Sequence, residues 1–116
     1  MDNILIGENN FDYPNAIGNK GSDKLFGGYG RDKLTGGLGN DQLTGGAGRD
    51  KFCIGIGTGR DVIKDYSSGE DKIQLLNGLT EDDLTIREVG NHVKIKYDGD
   101  LMAIVQDTLI ADLTFI

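Results

Sequence analysis

Six aspartates recur at near-regular intervals in this 116-residue chain: Asp23, Asp32, Asp41, Asp50, Asp61 and Asp71. The first four stand nine residues apart, and the next two intervals stretch to eleven and ten. Each is the sixth residue of a short unit. Three units run without a gap, GGYGRDKLT (27–35), GGLGNDQLT (36–44) and GGAGRDKFC (45–53). A looser copy precedes them, GNKGSDKLF (18–26), and two stretched ones follow, IGTGRDVIK (56–64) and YSSGEDKIQ (66–74). Carboxylates are hard oxygen donors, and glycine-rich backbone beside them adds carbonyl oxygens, so the chemistry on offer is cation binding.

Geometry narrows the cation. Glycines at positions one, two and four let the chain turn tightly and expose its carbonyls. Positions seven to nine, such as Lys33-Leu34-Thr35, alternate polar and apolar as a short strand with one buried face does. Each unit is then half a coil. If two units complete a turn, loops eighteen residues apart stack at the strand spacing of about 4.7 to 4.9 Å. That is about twice a calcium–oxygen bond of 2.3 to 2.6 Å, so an ion midway between stacked loops is reached by both. The expected pairs are Asp23 with Asp41, Asp32 with Asp50, Asp41 with Asp61, and Asp50 with Asp71, the last two departing from ideal spacing. Magnesium demands tighter octahedral geometry, and zinc would want more His and Cys than the one of each present.

The candidate ligands are therefore the six aspartates, with carbonyl oxygens from Gly21, Gly27, Gly28, Gly30, Gly36, Gly37, Gly39, Gly45, Gly46, Gly48, Gly57 and Gly59. Asn19 takes the second-glycine place in the first unit. The competing reading is a flexible glycine-rich linker or a metal-free solenoid. Against a linker stand Leu25, Leu34, Leu43, Phe52, Ile63 and Ile73, one apolar residue at the eighth position of every unit.

The units are similar to G-G-x-G-x-D-x-U-x, with U large and apolar, and on them the chain resembles the RTX (repeats-in-toxin) family of haemolysin-type calcium-binding nonapeptide repeats. The match is strict over 27–53 and good over 18–74. The resemblance implies an all-β chain: a right-handed parallel β-roll (β-helix) of stacked nonapeptide half-turns with a small antiparallel β-rich carboxy-terminal cap, holding Ca2+. The phrase GRDVIKDYSSGEDKI (59–73) resembles the flank that follows such repeats in secreted bacterial proteins. Many of those leave the cell by type I secretion on an uncleaved carboxy-terminal signal, which Asp112-Leu113-Thr114-Phe115-Ile116 looks like. Localisation is accordingly expected to be secreted and extracellular.

These sites need elements to position them. Residues 1–17 read as an amino-terminal cap, with Ile4-Leu5-Ile6 an edge strand and Asn15 standing for the sixth-position Asp of a degenerate loop. Solenoids need such atypical ends to cover their core. Residues 18–74 form the repeat region, and 75–116 a β-rich cap. In the cap, Thr80 followed by acids suits one helical turn. Gly90-Asn91 and Asp98-Gly99 mark two hairpin turns, with Ile86, Val93, Ile95, Met102 and Ile104 as the sealing face. The surplus residues in Lys51 to Gly57 suggest longer strands or a bulge.

Composition bounds the rest. A net charge of −7 argues against nucleic acid as a partner. The single Cys53 allows no internal disulfide, no segment is long enough to span a membrane, and no cleavable leader is visible at the start. With His92 the only histidine, a zinc-protease H-E-x-x-H motif is excluded and a catalytic triad is disfavoured, so the chain is read as non-catalytic unless it is part of a larger enzyme. It is expected to be a monomer or a module of a larger chain. Arg31 over Arg49 and Lys33 over Lys51 would line one side of the coil. These are read first as solvated neighbours of the aspartates. The alternative is a groove for an anionic, alginate-like polysaccharide, since the chain resembles repeat modules of alginate epimerases, with Tyr13, Tyr29 and Tyr66 as stacking surface.

Overall fold

The computed structural model describes residues 4–6, 15–17, 24–28, 30–35, 39–55, 59–76 and 78–116. Over the repeats it forms short strands: β1 (Ile4–Ile6), β2 (Asn15–Ile17), β3 (Lys24–Phe26), β4 (Lys33–Thr35), β5 (Gln42–Thr44), β6 (Lys51–Ile54), β7 (Asp61–Ile63) and β8 (Lys72–Leu75). Three longer strands follow, β9 (Thr85–Val89), β10 (His92–Tyr97) and β11 (Asp100–Val105). Among the described residues the only helical pieces are two 3-10 turns, Glu81–Asp83 and Ile110–Asp112, so the chain is all-β.

Successive repeat strands alternate between two sheets. One has the order β1-β3-β5-β7-β11-β10-β9, the other β2-β4-β6-β8. Within each, the repeat strands pair in parallel, and the nine-residue period sets the register: Leu25 stands opposite Leu43, and Leu34 opposite Phe52. The stretched units keep it, with Leu43 opposite Ile63 and Phe52 opposite Ile73. All six eighth-position residues are buried and form the core between the sheets. In β3, β4 and β5 the apolar centre points inward and its two neighbours outward, whereas β7 buries its ends, Asp61 and Ile63, and leaves Val62 half-buried.

The surplus in the fourth and fifth units is absorbed without disturbing that stack. β6 has four residues and buries Phe52, Cys53 and Ile54 in succession.

The carboxy-terminal strands form the expected small antiparallel sheet, but it is not antiparallel throughout its connections. β9, β10 and β11 do pair antiparallel, but β11 lies parallel against β7, so the seven-stranded sheet is mixed and continuous with the repeats. An open β7 edge would leave unpaired backbone groups, and β11 satisfies them. The sealing face also differs. Val93, Ile95 and Met102 are buried as expected, Ile86 packs against the core, but Ile104 is only half-buried while Ala103 and Val105 face inward. The cause is a bulge: register shifts between Ile95 and Lys96, which pair with Ala103 and Leu101, so Met102 is the extra residue.

Asn15 does not stand in the sixth position. It pairs with Lys33, the seventh residue of its unit, as the first residue of β2. The hairpin turns form as read, with Asp98 and Gly99 at φ 49° and 84°. The expected helical turn is the 3-10 turn at Glu81, entered where the Thr80 amide donates to Asp83 Oδ2 at 2.9 Å.

Candidate metal centre

Each described aspartate of the repeat precedes the strand of its unit or opens it, so strand register fixes where its carboxylate lies. Asp32, Asp41, Asp50, Asp61 and Asp71 are all buried, at 1–2% exposure. Burial this complete is unusual for carboxylates and calls for a compensating partner.

The stacking brings them together across the coils. The Asp32 amide donates to Asp50 Oδ1 at 2.9 Å, and the Asp50 amide donates to Asp71 Oδ1 at the same distance. The stretched interval therefore gives the same contact as the ideal one. Asp41 and Asp61 face each other on the other side, close enough for each charge to oppose the other. Carbonyls join the carboxylates in this space. A Cβ placed on Gly27 would lie 2.5 Å from Asp32 Oδ2 and 2.6 Å from the Gly45 carbonyl oxygen. Gly46 and Gly48, at φ +84° and +107°, approach the Gly28 and Gly30 carbonyl oxygens so closely that any side chain would collide. Gly59 meets the Gly39 carbonyl in the same way.

The electrostatics show what is missing. Both carboxylate oxygens of Asp32, Oδ2 of Asp50 and Oδ1 of Asp61 are buried with no hydrogen-bond partner. Burial pushes Asp32 and Asp71 up to about 6. It pushes Asp50 up to about 8, with the charges of Asp71, Asp32 and Asp65 adding to the effect. Asp61 rises to about 8 through burial and then the charge of Asp41. Orphaned, mutually repelling carboxylate oxygens are the arrangement a cation resolves. Among the described residues no three His, Cys, Asp or Glu side chains converge as a metal-binding group. The donor set is thus paired carboxylates with backbone oxygens, which suits calcium and not zinc.

Residues 17–52 match the family model of the RTX calcium-binding nonapeptide repeat in four copies. This segment is an RTX repeat array. Such repeats imply calcium binding, and the donor geometry fits that ion. No curated protein matches the chain.

Of the remaining candidate ligands, Asn19, Gly21, Asp23, Gly36, Gly37 and Gly57 lie outside the described residues, as do Tyr13 and Tyr29. The Asp23–Asp41 pair is therefore not described. Tyr66 is no sugar-stacking surface: it is buried, with its ring tilted against Phe52 at 6.4 Å between centroids and its hydroxyl engaged. His92 accepts the Asp107 amide on Nδ1 at 3.1 Å.

Two features beside the RTX array were not read from sequence. Asp65 clamps the turn below it, its Oδ1 and Oδ2 accepting the Gly45 and Gly46 amides at 2.8 Å each. The equivalent Gly27 amide bonds instead to the Thr44 carbonyl. Asp65 is visible within GRDVIKDYSSGEDKI, yet it falls between units and no nine-residue register points to it. Lys72 extends the expected pair of lysines to a row of three, since Lys33, Lys51 and Lys72 share one register. With Arg31 and Arg49 they line a cleft of about 420 Å³, which also contains Glu70 and the paired Asp32 and Asp50.

Proposed function

We propose that this chain is a calcium-organised, non-catalytic folding module of a secreted bacterial protein, its repeats forming a right-handed parallel β-roll when the ion is present. The observation that carries the proposal is the set of buried, unpartnered oxygens on Asp32, Asp50 and Asp61. In the described repeats, Asp32 with Asp50, Asp50 with Asp71 and Asp41 with Asp61 would hold the ions, helped by carbonyls such as that of Gly45. Bound calcium supplies positive charge between carboxylates that otherwise repel. The chain's part is to bring those carboxylates into register and exclude water from them.

One sequence thereby suits two compartments. In low calcium the aspartates oppose folding and the chain stays extended, as export requires. Outside the cell, millimolar calcium is enough even for sites with a Kd of about 10⁻⁴ to 10⁻³ M, and ion binding becomes folding free energy. Type I secretion and an extracellular location follow from this reading. Circular dichroism in calcium and in chelator tests it: strand signal that grows on adding calcium is expected, and an equally folded, equally stable protein in chelator would refute it.

A second reading, recognition of an anionic polysaccharide, is favoured by the cleft of Arg31, Lys33, Arg49, Lys51 and Lys72. Glu70 in the same cleft suits a ligand that also carries hydroxyl donors, as a glycan does. Binding of an alginate-like polymer to the calcium-loaded chain should weaken when Arg31 and Arg49 become Ala. Absence of binding before mutation would end this reading.

A further inference from the structure

Inside the stack, every described coil satisfies the one beneath it. The carbonyl oxygens of Asp32, Asp41 and Asp50 accept the amides of Lys51, Val62 and Lys72 from the next coil, at 2.8 to 2.9 Å. Asp71 has no such neighbour, because β8 is the edge strand of its sheet. Its carbonyl accepts a side chain instead: the Tyr66 hydroxyl, at 2.8 Å. That hydroxyl in turn accepts the Thr114 amide at 2.9 Å. Residues 113–116 then run along β8 as an added rung. The Ile73 amide bonds to the Thr114 carbonyl, the Ile116 amide to the Ile73 carbonyl and the Leu75 amide to the Ile116 carbonyl, at 2.8 to 3.2 Å. Tyr66 stands where the first four units have their first glycine, and its ring packs tilted against Phe52.

We infer that Tyr66 is a positioning residue that couples the Asp50–Asp71 cation gap to the docking of residues 113–116. The inference rests on the calcium reading for the ion half of the coupling. Asp71 is held at three points: Oδ1 by the Asp50 amide, Oδ2 by the Ser67 amide, and its carbonyl by Tyr66. Filling the gap stiffens the Asp71 loop, which presents the hydroxyl to Thr114. Docking of 113–116 holds the same loop ready for the ion. By linkage the two effects are equal. Residues 113–116 consequently dock more tightly against β8 when the gap is filled and less tightly when it is empty.

The test uses the full chain as wild type and Tyr66→Phe, which keeps the ring on Phe52 and removes only the hydroxyl. Calcium binding is titrated calorimetrically, and amide exchange is followed at Ile73, Thr114 and Ile116, with Lys51 as the reference inside the stack. In the wild type, calcium should slow exchange at Ile116. In Tyr66→Phe one binding step should weaken by about tenfold, the size of effect seen when a supporting partner of a metal ligand is removed. The other steps and Lys51 protection should stay as they were. Ile116→Pro, which removes the donor to Ile73 from the far end of the rung, should weaken the same step. Unchanged titrations in both variants, or a loss spread evenly over all steps, would overturn the coupling. A wild type that takes up no calcium would remove the proposed function. The hydroxyl link would then be judged alone, by faster exchange at Ile116 in Tyr66→Phe, and equal exchange there overturns it.

Discussion

Asp50 is the most connected of the repeated acids. It accepts from Asp32, donates to Asp71 through its amide, and so borders two of the described gaps, whereas Asp71 borders one. Asp50→Asn should therefore lower the number of bound ions by about two and Asp71→Asn by about one, counted by equilibrium dialysis against calcium at fixed pH. Equal losses in the two variants would speak against sharing of Asp50. The same carboxylates predict a pH dependence. With pKa values raised from 3.8 to about 6 and 8 in the metal-free fold, the folded state holds more protons than the unfolded chain through that window. Metal-free stability must then fall as pH climbs from about 4 to about 8. Calcium has to displace those protons, so its binding at pH 7 should release them and should weaken on acidification. Strand signal in chelator, expected to be greater at pH 5 than at pH 8.5, and proton release on calcium binding, measured in weak buffer, check both signs. Equal strand signal at the two pH values and no proton release would contradict them.

At the scale of elements, two kinds of residue hold a coil in place. Leu34 is fully buried and faces Phe52 across the parallel pair. Leu34→Ala should cost about 2 to 5 kcal/mol, read from urea unfolding of the calcium-loaded protein. Gly46 is under a different constraint, a positive φ and direct apposition to the Gly28 carbonyl. Gly46→Ala should cost more than about 1 kcal/mol, against the small gain this exchange gives where the backbone tolerates it. A neutral result would mean the loops do not stack as described. These features were legible in the sequence, because the period of nine fixes which residues repeat and the apolar eighth position fixes which face is buried. The sheet partner of β7 was not. Strands β9 to β11 announce their hairpins through Gly90-Asn91 and Asp98-Gly99, but nothing local says that β11 should join β7, 42 residues away at Ala103 and Asp61. The bulge at Met102, the clamp of Asp65 and the hydroxyl of Tyr66 are likewise long-range contacts that periodicity does not encode.

For the whole molecule the governing quantity is charge. The chain carries −7, and filling the three described aspartate pairs with divalent cations would bring it to about −1. With no disulfide available to its single cysteine, which is buried and free, such a chain would depend on its ions much as small secreted domains depend on cross-links. Each site contributes about 2.7 kcal/mol when calcium stands at a hundred times its Kd, so three sites would supply about 8 kcal/mol, comparable with the 5 to 15 kcal/mol typical of a domain's entire stability. The measurement that tests this most directly is a calcium count on the purified, folded chain after dialysis at millimolar free calcium. Three or more tightly held ions per chain, lost to chelator together with the strand signal, is the result predicted from the buried aspartate pairs. A folded chain that retains none would contradict it.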